Sequence, residues 1–431
     1  MAAGRVAVVG AGLAGLAAGM DLTDAGFHVE VFERSRLLGG RATSFLVDGV
    51  EVDNGQHVFL GCCTEFLRFV DRVGMSKFVR MQERFDALVL SRNGVASRLR
   101  AVGLPAPWHL LGSFIGYRHL AWPDKLRLAR VLRAAGTMPF DGTFAQWLTH
   151  HGQTEDALRS FWRPFFVPAL NAPLEEVSAA DATFVLSTAF LQEAGAARFG
   201  YATIPLAHVA RKAAAKLARV HLSTPVTGVS FARTHGGVDG VTLRDGQRVP
   251  FDAVVLALSP PQLSLVAGGV GQRLGLPALD GYKAHPIVDV HLWHDRGHLG
   301  FDFAAVLDSP LQWIFEKRSG YLCCSLSAAE KYLTMPAAQV SQECWNEIKT
   351  AIPTLAGATL LRSAVTRNPE ATYLASPTQK RPGPQTSFPN LAIAGSWTDT
   401  GWPDTMESAV RSGSAAARLI AGVLGGVEVV A

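Results

Sequence analysis

Residues that could do chemistry are concentrated in four places, three within residues 10–57 and one near the other end of the chain. Gly10-Ala11-Gly12-Leu13-Ala14-Gly15 is a G-x-G-x-x-G run, and the acid Glu33 follows by about 20 residues, the spacing of a dinucleotide site. Gly10 permits a tight turn, Gly12 lets the backbone approach a pyrophosphate, and Gly15 lets the following helix pack close on a sheet. The N-terminus of that helix, with Leu13 and Ala14 in the turn that leads into it, offers unpaired N–H groups and a partial positive charge to phosphate. Glu33, with Arg34 beside it, is the ribose-binding acid. A second glycine pair, Gly39-Gly40, leads into Arg41, whose guanidinium is a fixed fork of donors for phosphate. Asp53-Asn54-Gly55-Gln56-His57 is a polar stretch that reads as a satisfied turn or as a loop lying along a bound ring system. Near the other end, Gly395-Ser396 and Asp399 precede Thr405-Met406-Glu407, where a helix begins. Its N-terminus can stabilise negative charge on a bound group.

Strands and helices of α/β type must carry these groups. Val6–Val9 and 29–33 read as strands, with a small-residue helix over 16–25 between them. Residues 43–52 alternate as a hairpin around Asp48-Gly49. Residues 58–75 place Phe59, Phe66, Leu67, Val70 and Val73 at helical spacing and read as one helix. Beyond residue 76 the pattern changes. A strand pair surrounds Arg92-Asn93-Gly94, and an apolar stretch over 103–117 is broken by Pro and Gly. A helix over 125–133 follows, with Arg127, Arg130 and Arg133 on one face and Leu128, Val131 and Leu132 on the other. That helix is an ordinary surface helix or, with the apolar stretch, a patch set against a membrane.

Residues 144–191 read as helical, broken at Pro164, Pro168 and Pro173, and hold the aromatic cluster running from Phe161 and Trp162 through Phe165 and Phe166 to Asn171. Such a cluster is core, or it lines an apolar cavity. A helix over 206–217, a strand over 220–226, further strands at 229–231 and 240–243, and a buried parallel strand over 251–258 return the chain to the nucleotide domain. Strands at 286–293, 313–316 and 321–326, a helix over 341–352 and a short strand at 364–367 belong to the second domain. His291, His294 and His298 are spaced like metal ligands, but no Cys or acid pattern supports them and no metal is expected. The fold class is therefore α/β. A Rossmann-type dinucleotide domain is drawn from 1–75, 205–265 and 385–431, and a mixed α+β substrate domain from 76–204 and 266–384 is inserted into it.

A chain of 431 residues suits two domains, and 48% hydrophobic with 18% charged residues describes a folded protein. A net charge of +4 gives a nucleic-acid role no support. Five cysteines in an odd count, with Cys62-Cys63 and Cys323-Cys324 adjacent, are not a disulfide framework and read as thiols in a reducing compartment. No apolar run reaches the ~20 residues of a membrane span. The expected location is cytoplasmic, with peripheral attachment to the inner face of the cytoplasmic membrane left open. Nothing in the sequence sets the oligomeric state.

The Gly39-Gly40-Arg41 element resembles the one that follows the ribose acid in the flavin-containing amine oxidase and phytoene desaturase superfamily. The stretch from Gly395 to Gly413 resembles that superfamily's C-terminal flavin motif, with Ser396 standing where an acid is usual. Within the superfamily, the stretches from Asp53 to Gly61, from Trp162 to Asn171 and from Gly395 to Pro403 resemble the squalene-associated FAD-dependent subgroup, the hydroxysqualene dehydroxylases.

The resemblance implies FAD as the cofactor, in an amine oxidase/phytoene desaturase-like fold. It places Gly55, Gln56 and His57 beside the isoalloxazine, and Val226 against the adenine through its backbone. It implies reductive removal of the allylic hydroxyl of hydroxysqualene by hydride from reduced FAD, giving squalene. Asp53, His57 and Asp399 are then candidates for the acid or its water relay, and Trp162, Phe165, Phe166 and Asn171 for substrate contacts. No second dinucleotide fingerprint occurs downstream, so a separate reductase or diffusible donor supplies the electrons. The alternatives are a polyprenoid desaturase, an amine oxidase, for which Lys283 is the only nearby lysine candidate, and a prenyl-lipid-binding escort protein.

Overall fold

Val6, Ala7, Val8 and Val9 are all buried, as a run of small apolar residues must be at the centre of a parallel sheet. In the computed structural model, which describes residues 4–135, 140–232, 236–267, 274–277 and 279–425, the strand Arg5–Val9 is the middle of five parallel strands. His28–Phe32 and Ala253–Ala257 flank it, and Arg219–His221 and Leu391–Ala394 form the edges. The strand order reverses beside Arg5–Val9, so the turn at Gly10 sits at the switch point where doubly wound sheets bind ligands. The first helix, Leu13–Asp24, is crossed by the last, Met406–Gly425. They approach so closely that a Cβ on Gly413 would stand 2.1 Å from the Ala14 carbonyl oxygen.

A second, seven-stranded sheet runs in the order Leu360–Ala375, Tyr282–His294, Tyr321–Ser327, Trp313–Arg318, Phe303–Leu307, Asp86–Ser91 and Ala96–Arg100. Alternation along Phe303–Leu307 divides its two faces. Phe303, Ala305 and Leu307 pack with Phe144, Trp162, Phe165 and Phe166. Ala304 and Val306 pack with Val340, Cys344, Trp345 and Ile348 of the helix Ala337–Ala351. A small antiparallel sheet, with Phe199–Ala202 between Val58–Leu60 and Val79–Met81, lies at the meeting of the two regions. Another pairs Val226–Phe231, Val238–Leu243 and Arg248–Pro250.

Several local expectations are corrected. Residues 58–75 are not one helix: Val58–Leu60 is a strand, and the helix spans only Thr64–Arg72. Gly61 separates them where the backbone passes Gly195, whose carbonyl oxygen would lie 2.3 Å from an added Cβ. The strand expected over 220–226 ends at His221, and Val226 opens a strand of a different sheet after Ser223 turns the chain at φ 53°.

Pro168 does not break its helix but lies inside Arg163–Leu170. The carbonyl that its missing N–H leaves free is that of Pro164, and the Trp313 indole N–H donates to it at 2.9 Å. The short strand at 364–367 extends over Leu360–Ala375 and pairs with Tyr282–His294 along most of its length. Its polar residues and Pro369 conceal it in the sequence, but an edge strand tolerates both.

Candidate functional site

A cavity of ≈ 970 Å³, at the upper end of the range for ligand pockets, joins the two regions. One end is built on the parallel sheet. Gly10 turns at φ +103°, where a Cβ would stand 2.4 Å from the Ala257 carbonyl oxygen. A Cβ on Gly15 would stand 1.9 Å from the Gly10 carbonyl oxygen, so Gly15 seats the helix without lining the cavity. Gly12 does line it, and a Cβ there would meet nothing nearer than Gly40 Cα at 3.9 Å. The helix Leu13–Asp24 has no side-chain cap, and Leu13 and Ala14 line the cavity at its start. Glu33 clamps both neighbouring turns: the Ala11 and Ser35 N–H groups each donate to its carboxylate at 2.8 Å. Its remaining lone pairs are left for a ligand's hydroxyls. Arg34, Gly39, Gly40, Arg41 and Val226 complete the expected set on this wall, and Arg244, which sequence reasoning missed, joins them from the turn after Val238–Leu243.

Arg41 does more than expected of it. Its fork meets Asp404 through two bonds of 2.9 and 3.0 Å, donates to the Ala371 carbonyl at 2.8 Å, and meets the Ser396 hydroxyl. Both terminal nitrogens are thus spent within the protein, and the expected role as a free phosphate fork is corrected. Arg41 fastens the glycine turn to the C-terminal motif and to the strand Leu360–Ala375. Asp404 also accepts the Tyr373 N–H at 2.7 Å. A carboxylate therefore does stand in this corner, supplied by Asp404 while Ser396 occupies the usual acid position. Position next to Thr405 was the signal for Asp404 in the sequence. Opposite charge raises the Arg41 pKa although burial opposes it.

Gly395, Ser396, Thr405 and Met406 line the same cavity. Thr405 Oγ1 accepts the Ser408 N–H at 3.2 Å, capping the last helix. The buried carboxylate of Glu407 accepts the Glu65 and Phe66 N–H groups, at 3.1 and 2.7 Å, and so caps the helix Thr64–Arg72. The two ends of the chain therefore meet at one wall.

Gly55, Gln56 and His57 line the cavity between its ends. His57 Nδ1–H donates to the Gly55 carbonyl at 2.8 Å, and burial lowers its pKa, so the imidazole is neutral with Nε2 as an acceptor. The other two acid candidates stand elsewhere. Asp53 accepts from the Ser44 hydroxyl and the Leu206 N–H, both at 2.7 Å, pinning the hairpin to the next helix. Asp399 is exposed in a turn and accepts the Gly401 N–H at 3.2 Å.

Two residues missed in the sequence lie behind the loop. Asp289 is fully buried and accepts the Gln56 N–H at 3.0 Å, and burial pushes its carboxyl up to about 7. Lys317 Nζ, 14% exposed, lies 3.9 Å from Asp53. Asp289 falls on the polar side of its strand's alternation, and Lys317 follows the strand expected over 313–316, so the sequence marked neither.

His291 bonds the Tyr321 hydroxyl, His294 accepts the Arg296 N–H and His298 pairs with Glu316. Among the described residues no group of three His, Cys, Asp or Glu could hold a metal ion. Lys283 is on the surface, paired with Glu176.

The far end of the cavity is aromatic: Phe165, Phe166, Phe184, Phe190, Phe199, Trp313 and Phe315 line it. Trp162 and Asn171, expected beside them, are part of the structure behind. Trp162 is fully buried and donates to Gln153 at 2.9 Å. Asn171 ends the helix in the left-handed conformation at φ 52° and spends its amide on the His285 carbonyl, Thr372 Oγ1 and the Ala328 N–H. The four carboxylates that line the cavity are Glu33, Glu370, Asp404 and Glu407, and each is engaged within the protein.

These residues fit FAD. The backbone cradle at Gly12 is open to the cavity, an uncapped helix N-terminus faces the same space, Glu33 keeps lone pairs for ribose, and a second helix N-terminus opens on it at Thr405–Met406.

The profile of the flavin-containing amine oxidoreductase family matches residues 13–421. A hydroxysqualene dehydroxylase of Rhodopseudomonas palustris is 31% identical, covering 96% of this chain and 98% of that protein. A probable zeta-carotene desaturase of Synechococcus elongatus is 24% identical over the same shares. In fold, a triple mutant of putrescine oxidase superimposes with a TM-score of 0.73 at 16% identity, covering 96% of this chain and 98% of that one. A putative protoporphyrinogen oxidase from Exiguobacterium sp. 255-15 does so with 0.71 at 14%, covering 98% and 99%.

Proposed function

The chain belongs to the flavin-containing amine oxidoreductase family and is an FAD-dependent oxidoreductase; on that premise we propose that it removes the allylic hydroxyl of hydroxysqualene reductively, giving squalene and water. The observation that carries this reading is the aromatic end of the cavity. It is apolar, and every carboxylate lining the cavity is already bonded inside the protein, so nothing there awaits an ammonium group. The name carried by the 31% identical relative supports the same substrate.

In this reading, segments 1–75, 205–265 and 385–431 hold FAD and the intervening segments hold the substrate. When bound and reduced, FAD supplies the hydride. Glu33 holds the ribose, and the N-terminus of Leu13–Asp24 holds the pyrophosphate. The ring of phenylalanines excludes water, so an allylic carbon that becomes positive as its hydroxyl departs is not captured by solvent. His57, neutral and presenting Nε2, accepts a hydrogen bond from the substrate hydroxyl and orients it. Hydroxide is a poor leaving group and must depart as water. We assign the proton it needs to Asp289, which lies behind Gly55 and whose carboxyl burial pushes up to about 7. The electrons come from a separate donor.

Anaerobic incubation of the photoreduced holoenzyme with hydroxysqualene, followed by lipid analysis, tests the proposal. Squalene is expected. If hydroxysqualene were recovered unchanged while the oxidised enzyme dehydrogenated a more saturated polyene, the desaturase reading favoured by the second relative would replace it.

A further inference from the structure

Large apolar side chains are exposed together in one window of the chain. Val102 (47%), Leu104 (51%), Trp108 (56%), Leu111 (44%), Ile115 (46%), Trp122 (59%) and Leu126 (58%) all face solvent. The other exposed large apolar residues among those described, such as Leu46 and Val423, are scattered singly. Single exposed leucines need no explanation; a contiguous apolar group with two tryptophans does.

Hydrogen bonds tie the window into one surface. The Val102 N–H donates to the His109 carbonyl at 2.8 Å, and Ser113 bridges Arg100 and Leu110. The Lys125 ammonium donates to the Ile115 carbonyl at 2.5 Å and lies 4.8 Å from the Trp122 ring centroid, joining the apolar loop to the helix Trp122–Ala134. That helix is amphipathic as its sequence indicates, with Arg127, Arg130 and Arg133 outward and Leu132 packed on the core beside Leu128 and Val131. Its outward face is therefore Trp122 and Leu126 followed by arginines.

Charge points to the occupant. Residues 101–135 hold five Lys or Arg against one acid, Asp124. Arg118, Arg127, Arg130 and Arg133 are exposed, whereas Asp124 is buried and paired with Arg127 at 2.8 Å. Every exposed charge in the window is therefore positive. Tryptophan and leucine among arginines, with no exposed acid, suit the headgroup level of an anionic bilayer. No helix among the described residues is long and apolar enough to cross a membrane, and the contact concerns one face of the bilayer.

We propose that residues 102–133 dock the protein on an anionic lipid surface, with the aromatic end of its cavity turned toward the bilayer. The orientation rests on three rings. Phe114, in the window, lies 6.0 Å from Phe161, which lies 5.5 Å from Phe165 on the cavity wall. The proposal is independent of the reaction catalysed.

Flotation of the full-length holoenzyme with vesicles of mixed phosphatidylglycerol and phosphatidylcholine tests it. Binding is expected, weakening with added salt and absent on pure phosphatidylcholine. Trp108→Ser with Trp122→Ser should lower partitioning about tenfold or more, with flavin absorbance and melting temperature unchanged because both side chains are exposed. Arg130→Glu with Arg133→Glu should remove the preference for the anionic lipid. Failure of the wild type to float overturns the proposal, as does undiminished flotation of the tryptophan variant. A stable dimer that the tryptophan substitutions dissolve, without vesicle binding, would overturn it in favour of a second copy of the chain.

Discussion

At the nucleotide end of the cavity, backbone groups meet carboxylates and other backbone: Ala11 and Ser35 on Glu33, Gly15 against Gly10, Tyr373 on Asp404. At the aromatic end the wall is side chain on side chain, with Phe199 4.2 Å from Phe303 and Phe161 5.5 Å from Phe165 between ring centroids. The first kind of wall tolerates almost no change of residue, because an added atom meets a fixed carbonyl. The second holds its shape through shared volume, so single changes enlarge or reshape it and leave the fold standing.

Two glycines of the nucleotide end differ most sharply in what a side chain would meet. Gly15→Val should yield no folded protein, because the new Cβ would lie 1.9 Å from the Gly10 carbonyl oxygen. Gly12→Val, three residues earlier, should give a folded but colourless protein, since its side chain enters only the cavity. Circular dichroism and flavin absorbance separate the two outcomes.

At the other end, Phe165→Ala should cost about 3 kcal/mol of stability and raise KM for a long apolar substrate, with flavin content kept. Arg41→Ala leaves Asp404 without its partner. A loss of about 2–3 kcal/mol is expected by chemical denaturation, at or below the low end for buried pairs because the Arg41 side chain is 33% exposed.

The smallest effect on stability at low pH belongs to Asp289→Asn. The Asp289 carboxyl stays neutral in the fold up to about 7, but in the unfolded chain it ionises above its ordinary value of 3.8. Folding therefore takes up a proton between those values. The resulting stability is complete below 3.8 and is lost as pH rises to about 7. The variant should match wild type in acid and lack that part of the pH dependence in thermal melts.

This contrast also explains what could be read from the sequence. The G-x-G-x-x-G turn, Glu33 and the Thr405 helix start are local: each depends on residues within a few positions, and each lines the cavity. Phe165 and Phe166 were legible as an aromatic run, but which members of the run face inward depends on helix rotation, and Trp162 faces the core instead. Asp53 and Asp399 share polar stretches with residues that line the cavity, and one turn of backbone directs them elsewhere. Asp289, Lys317 and the partnership of Arg41 with Asp404 arise from contacts across more than two hundred positions, which no local pattern signals.

The proposed reaction requires that both walls enclose one space in which reduced flavin meets an allylic alcohol. An anaerobic single turnover measures this directly, by following flavin absorbance as hydroxysqualene is mixed with the reduced holoenzyme and quantifying squalene in the quenched sample. Oxidised flavin and squalene are expected to appear together in equal amounts. Flavin that stays reduced in the presence of saturating hydroxysqualene would contradict it.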